Sequence, residues 1–134
     1  MERARVAARF CGVRAAPVLY ARPMRRVLVC DDSPVARAAV EKKLRAHGAD
    51  VVLCASAAEA RATTTDGLTC ALLDVDLGDG LGTDVAAALR RAAPALPVAF
   101  FTSEPDVTNA LGPVFRKPDG LDAAVAWALA AGAG

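Results

Sequence analysis

Five short apolar runs alternate along the chain with segments that carry helix signals: Arg25–Cys30, Val51–Cys54, Cys70–Leu73, Pro97–Phe101 and Val114–Phe115. None of the five alternates polar with apolar residues, so each is expected to be covered on both faces, as strands of a parallel sheet are. Between them, Ser33 and Pro34 form an N-cap followed by a first-turn proline, and Val35–His47 then reads as a helix closed by Gly48. Ser56 opens a second helix through Arg61 that frays into Thr63-Thr64-Thr65 ahead of Asp66-Gly67. Leu81–Arg91, with Val85 and Leu89 on one face, and Leu121–Ala130 are two more. Strands and helices in strict alternation, joined by right-handed crossovers, give the α/β class and a doubly wound parallel sheet of five strands with helices on both faces.

A chain of 134 residues supports one core. With 54% hydrophobic but only 4% aromatic residues, that core must be built from Ala, Val and Leu, which suits helices packed closely on a sheet. The net charge of +1 hides an asymmetry: residues 1–26 hold seven Arg against one Glu, leaving the remainder at −5. Residues 1–24 are therefore expected to form a basic, disordered extension ahead of a single domain over 25–134. Its arginines are dispersed and lack interleaved aromatics, so no nucleic-acid partner is expected. The four Cys show no CxxC pair, and Cys30, Cys54 and Cys70 lie inside apolar runs, as buried, reduced thiols do. No apolar run approaches the ~20 residues of a membrane span, and no continuous apolar segment marks a secretory signal, so a cytoplasmic protein without a membrane partner is expected.

In an open parallel sheet, functional groups gather beyond the carboxyl ends of the strands. Asp31 and Asp32 end the first run, Asp74 the third, Thr102 the fourth and Lys117 the fifth, so the chemistry-bearing residues fall on one edge. Carboxylates brought together there need a compensating cation. A site of several hard oxygens suits Mg²⁺, which keeps some of its waters and is commonly shared with phosphate. Asp74 stands where a nucleophile would, and aspartate attack on phosphorus forms an acyl phosphate. Lys117 would supply further positive charge, and Thr102 a hydroxyl for a phosphoryl oxygen.

Other readings of the acidic stretch Asp74–Gly80 fit less well. A calcium loop beginning at Asp74 would need Asp or Asn at position 78 and Gly at 79, where Gly78 and Asp79 stand, and a closing Glu where Val85 stands. Asp74-Val75-Asp76 is similar to the Asp-x-Asp pair of haloacid-dehalogenase-type phosphatases, but those carry it on the first strand. Asp79 in its Gly-Asp-Gly turn and Asp84 in a first helical turn are read as structural, His47 as a helix C-terminal residue, and Trp127 as a packing anchor.

Val29-Cys30-Asp31-Asp32-Ser33, Leu72-Leu73-Asp74-Val75-Asp76-Leu77, Phe101-Thr102-Ser103 and Arg116-Lys117-Pro118 together resemble the receiver domain of bacterial two-component response regulators, over about residues 25–134. The resemblance implies a flavodoxin-like, CheY-like strand order of 2-1-3-4-5. It implies Asp74 as phosphoacceptor, Asp31 and Asp32 as Mg²⁺ acids beside Asp74, the backbone carbonyl of Asp76 completing the metal site, Thr102 as switch hydroxyl and Lys117 as phosphoryl contact. Two departures stand out. The interval from Thr102 to Lys117 is short for the family, so the helix near Asp106–Leu111 should be a turn or two at most, as in receivers that serve hybrid sensor kinases. Val114 stands where many receivers carry a switch Tyr or Phe, with Phe115 on the opposite strand face.

The expected function is thus a stand-alone, phosphorylation-dependent switch. It would take its phosphoryl group from a sensor histidine kinase, hybrid or not, or from a phosphotransfer protein, and signal to a downstream protein by contact or phosphorelay. It would not be an enzyme with a separate substrate. Fifteen residues follow Asp119, enough for the final helix. Two alternatives are a receiver fold that binds its partner regardless of phosphorylation and a small Mg²⁺-dependent phosphatase with Asp74 as nucleophile.

Overall fold

The computed structural model describes residues 24–132. The basic extension expected over 1–24 lies, apart from Met24, outside the described residues. In chain order the elements are β1 (Arg26–Cys30), α1 (Pro34–Ala46), β2 (Asp50–Cys54), α2 (Ala57–Ala62), β3 (Cys70–Leu73), α3 (Gly82–Ala92), β4 (Val98–Thr102), β5 (Val114–Arg116) and α4 (Leu121–Ala130). The five strands are all parallel, as the apolar runs imply, and lie in the order β2-β1-β3-β4-β5 that the family resemblance implies.

The helix starts follow from their caps. Ser33 accepts a hydrogen bond from the Ala36 N–H at the head of α1, ahead of Pro34, and Ser56 accepts from the Glu59 N–H at the head of α2. Because successive strand residues point to opposite faces, the sheet separates two cores. Leu28, Leu73 and Phe100 pack with Ala57 and Ala60 of α2 and Val85 and Leu89 of α3. Val27, Leu72 and Phe101 pack with Val40 and Leu44 of α1 and Ala124 and Ala128 of α4. Each fully buried Val, Leu or Phe contributes on the order of 1.5–3 kcal/mol. The alanines of α4 let it settle close to the sheet, where Cys70 Sγ lies 3.5 Å from the Ala128 carbonyl. Trp127 is half-buried against the same core, a packing role as expected.

Register then sets the working edge. Cys30 pairs with Leu73, so the next residues, Asp31 and Asp74, emerge side by side from neighbouring strands. β4 runs further, pairing Thr102 with Arg116 of β5. The start of α3 is drawn onto this edge through Gly82, where a Cβ would come within 1.9 Å of the Asp74 carbonyl oxygen. Only glycine permits that approach.

The short helix expected near Asp106–Leu111 does not form; residues 103–113 hold only turns and bends. Pro105 and Pro113 bracket the segment, β-branched Val107 and Thr108 and then Asn109 weaken helix formation within it, and Gly112 sits so tightly that a Cβ would meet the Val98 carbonyl at 1.9 Å. Arg90 of α3 donates to the carbonyls of Leu96 and Leu111 and ties the end of the segment to α3 and to the loop ahead of β4.

Candidate functional site

Asp31 and Asp74 are buried, at 3% and 9% exposed, whereas Asp32 is exposed. A carboxylate oxygen from each of the three lies within 4.8 Å of the others. At an effective dielectric near 20, two like charges at that separation repel by about 3 kcal/mol, so the pair of buried acids requires a partner. Lys117 provides it: its Nζ stands 2.8 Å from Asp31 Oδ2 and 3.0 Å from Asp74 Oδ2. The remaining oxygens are held by main chain. Asp31 Oδ1 accepts the Ser33 N–H at 2.9 Å, and Asp74 Oδ1 accepts the Val75 N–H at 2.7 Å. The Lys117 ammonium lies over Phe101, with Nζ 5.6 Å from the ring centroid.

The balance of forces shows in the protonation equilibria. Burial raises the Asp31 carboxyl above its ordinary range, with the Asp74 charge adding to it, against the opposing bonds from Lys117 and the Ser33 N–H. Burial would lower the Lys117 ammonium, but its bonds to Asp31 and Asp74 outweigh that and hold it above its ordinary value, so it stays charged. Three carboxylates against one ammonium still leave the cluster negative.

Residues 27–112, which run from β1 through β4 and carry the acids at the ends of β1 and β3, match one family, described as the response regulator receiver domain. The chain belongs to that family. No curated protein matches this receiver. Among solved structures it is similar to a response regulator receiver domain from Clostridium thermocellum, at 21% identity, with 79% of this chain and 94% of that one covered and a TM-score of 0.66. The N-terminal domain of a response regulator/sensory box/GGDEF 3-domain protein from Carboxydothermus hydrogenoformans is 26% identical over 78% of this chain and 94% of that one, with a TM-score of 0.64. The response regulator TrrA of Thermotoga maritima, in a structure with Mg²⁺ and a beryllium fluoride, is 21% identical over 78% of this chain and 99% of that one, with a TM-score of 0.66.

The other two residues singled out by the sequence lie at the same edge of the receiver. Thr102 is fully buried; its Oγ1 accepts the Glu104 N–H at 3.1 Å and its carbonyl accepts the Lys117 N–H at 3.0 Å. Asp76 turns its side chain outward to accept the Gly78 N–H at 3.0 Å. Its isolated bridge to Leu81 is closed by Leu77 N–H to Gly80 and Gly82 N–H to Val75, at 3.0 and 2.6 Å, so the Asp76 carbonyl takes no part in either bond.

Three neighbours were not evident from the sequence. Arg37 of α1 donates to the Asp31 carbonyl at 2.7 Å, bracing the turn that presents both first-strand acids. Asp79, read as a turn residue, caps α2 from a distance: its two oxygens accept the Ala57 and Ala58 N–H groups at 2.8 and 3.0 Å, and these bonds lower its carboxyl below the usual range. Arg116 reaches the carbonyls of Glu104 and Pro105. An arginine three residues after Pro34 on a helix face is a weak signal for the first; for the other two no local pattern exists.

Proposed function

We propose that this receiver is a signalling switch that accepts a phosphoryl group onto Asp74 from the phosphohistidine of a sensor histidine kinase or of a phosphotransfer protein. The observation that carries the reading is the placement of Lys117 Nζ 2.8 Å from Asp31 and 3.0 Å from Asp74, beside Asp32. A cluster of three carboxylates with one ammonium has the hard oxygen donors and the residual negative charge that suit Mg²⁺. Asp31, Asp32 and Asp74 would hold the ion, with the Asp76 carbonyl as a further donor; when bound, it neutralises charge on the acids and on the transferring phosphoryl oxygens. The beryllium fluoride structure of the Thermotoga relative with Mg²⁺ supports carrying that chemistry to this chain.

The protein's own groups then divide the work. The Val75 N–H fixes Asp74 Oδ1 and leaves Oδ2 facing Lys117. In the transfer, Asp74 forms an O–P bond as the P–N bond to the donor imidazole breaks, and the electron pair returns to the ring nitrogen. Lys117 stays charged and follows the negative charge onto the phosphoryl group, while the Thr102 hydroxyl turns to meet a phosphoryl oxygen. The acyl phosphate so formed alters the equilibrium between arrangements of the adjoining loops, and the signal passes by protein contact or onward phosphotransfer. On this reading the chain is a switch and not an enzyme with a separate substrate. It acts in the cytoplasm on protein partners, without nucleic acid or membrane; among the described residues no helix is long and apolar enough to cross a membrane.

Intact mass after incubation with acetyl phosphate, with and without Mg²⁺, tests the proposal. Wild type should gain one labile phosphoryl group only with Mg²⁺, and Asp74→Asn none. An adduct of the same yield on Asp74→Asn would overturn the assignment. The missing helix at 103–113 and Val114 in the place of the switch aromatic favour a second reading, a module that binds regardless of phosphorylation. Wild type that binds Mg²⁺ yet takes up neither phosphoryl group nor beryllium fluoride would select it, and turnover of phosphomonoesters would instead select a phosphatase.

A further inference from the structure

The face of β5 that looks toward Thr102 carries Val114 and Arg116. Val114 packs on the α2–α3 side of the sheet and Phe115 on the α1–α4 side, so Phe115 cannot serve as a lever beside Thr102. Arg116, two positions beyond Val114, shares its face and is the direct register partner of Thr102. From there its guanidinium donates through Nη1 to the Glu104 carbonyl and through Nη2 to the Pro105 carbonyl, the latter at 3.3 Å. Glu104 is thereby held at both ends: its N–H donates to Thr102 Oγ1 at 3.1 Å and its carbonyl accepts from Arg116.

We propose that Arg116 is the positioning residue that couples Thr102 to the 103–113 segment, in the role the family gives to an aromatic side chain. This rests on the phosphoacceptor reading of Asp74. When the Thr102 hydroxyl turns toward a phosphoryl oxygen it gives up the Glu104 N–H. That group is left without its partner and the start of the segment must move to satisfy it. With the Glu104 and Pro105 carbonyls clamped by a guanidinium fork, the movement cannot dissipate in one peptide; it displaces Glu104 and Pro105 together as a unit. Without the fork the same turn of Thr102 would be absorbed locally, because no helix stiffens the segment.

Amide exchange measured by NMR at Glu104 and through 103–113, with and without Mg²⁺ and beryllium fluoride, tests this on wild type, Arg116→Gln and Arg116→Lys. Fluorine NMR reports the bound fluoride separately. In wild type, bound fluoride should speed exchange at Glu104 by about fivefold, the size of one net hydrogen bond, and the change should extend along the segment. Arg116→Gln should bind fluoride equally, exchange rapidly before it is added, and show a bound-to-free ratio near one beyond Glu104; Arg116→Lys should recover part of the response. A purely structural role for Arg116 would speed exchange but leave the fluoride-dependent ratio intact, and that result overturns the inference, as does bound fluoride with no response in wild type. Absence of fluoride on wild type refutes the reading of Asp74 itself, and the coupling with it.

Discussion

Replacing Lys117 with methionine removes the cation shared by Asp31 and Asp74 while keeping much of the side chain's volume over Phe101. Removing one partner of a buried ion pair costs about 3–5 kcal/mol. Here the lysine side chain is 18% exposed and the third acid of the cluster, Asp32, is exposed, so water screens part of the loss and about 2 kcal/mol at pH 7 is expected. For a domain of this size that lowers Tm by roughly 10 °C. The pH dependence identifies the cause. Asp31 already has a raised carboxyl in the folded state, and losing Lys117 raises it further. A carboxyl with a folded value above its unfolded one, near 3.9, costs stability at neutral pH, and the cost disappears as pH falls through the folded value toward the unfolded one. Wild type and variant should therefore converge as pH is lowered from 7 to 4. Lys117, raised in the folded state, gives its stabilisation fully below its unfolded value near 10.4 and loses it as pH rises through the folded one, so the two should converge again in strong alkali. Millimolar Mg²⁺ should restore the variant more than wild type, because the acids then hold the ion without a competing ammonium. Urea denaturation across pH 4–8, with and without Mg²⁺, is the assay. A penalty that is constant over that range and indifferent to Mg²⁺ would show that Lys117 acts by packing on Phe101, and would refute the charge argument.

Two further outcomes follow from the geometry. Gly82→Ala places a Cβ 1.9 Å from the Asp74 carbonyl oxygen, so α3 must back away from β3; thermal denaturation should show a loss of more than about 2 kcal/mol, and phosphoryl uptake at Asp74 should fall with it. Burial pushes the thiols of Cys30 up to about 12 and Cys70 up to about 11, so stability should decline with rising pH above the unfolded thiol value near 8.5, by about 1.4 kcal/mol per pH unit for each thiol, until the folded values are reached. Urea titrations at pH 8 and 10 on wild type and Cys70→Ala should show the smaller decline in the variant.

The strands were legible because each is an unbroken apolar run, and the acids were legible because each follows such a run directly. Parallel order alone then brings them together: once Cys30 pairs with Leu73, Asp31 and Asp74 have no other place to be. Lys117 is legible for the same reason, one residue past a strand that pairs with β4. What could not be read is what depends on approach between segments with no shared pattern. Asp79 caps α2 across 22 and 21 residues of sequence, and Arg90 reaches Leu111 across 21. The expected helix near Asp106–Leu111 fails partly for a similar reason: Pro105 and Pro113 stand in the sequence, but the fit of Gly112 against the Val98 carbonyl is visible only once β4 is in place.

The loss of that helix changes the energetics of the switch more than its chemistry. A helix between β4 and β5 would carry its own ladder of main-chain hydrogen bonds, and shifting it would mean moving a packed cylinder against the sheet. Beyond the main-chain bond from the Phe100 N–H to the Pro113 carbonyl and the packing of Val107 and Leu111 on the core, residues 103–113 are tied down by a few side-chain bonds: Thr102 to the Glu104 N–H, Arg116 to the Glu104 and Pro105 carbonyls, and Arg90 to the Leu111 carbonyl. At about 1 kcal/mol net for a neutral bond and about 1.5–3 for one made by a charged group, these ties sum to several kcal/mol. Carrying a two-state equilibrium from 1:99 to 99:1 takes about 5.5 kcal/mol. These side-chain bonds are thus of the same order as the free energy a switch must redirect, and on the proposed reading of Asp74 a phosphoryl group that captures Thr102 and Lys117 would act directly on the first of them. A receiver built this way needs no aromatic lever, provided that Thr102 and Arg116 hold the two ends of Glu104.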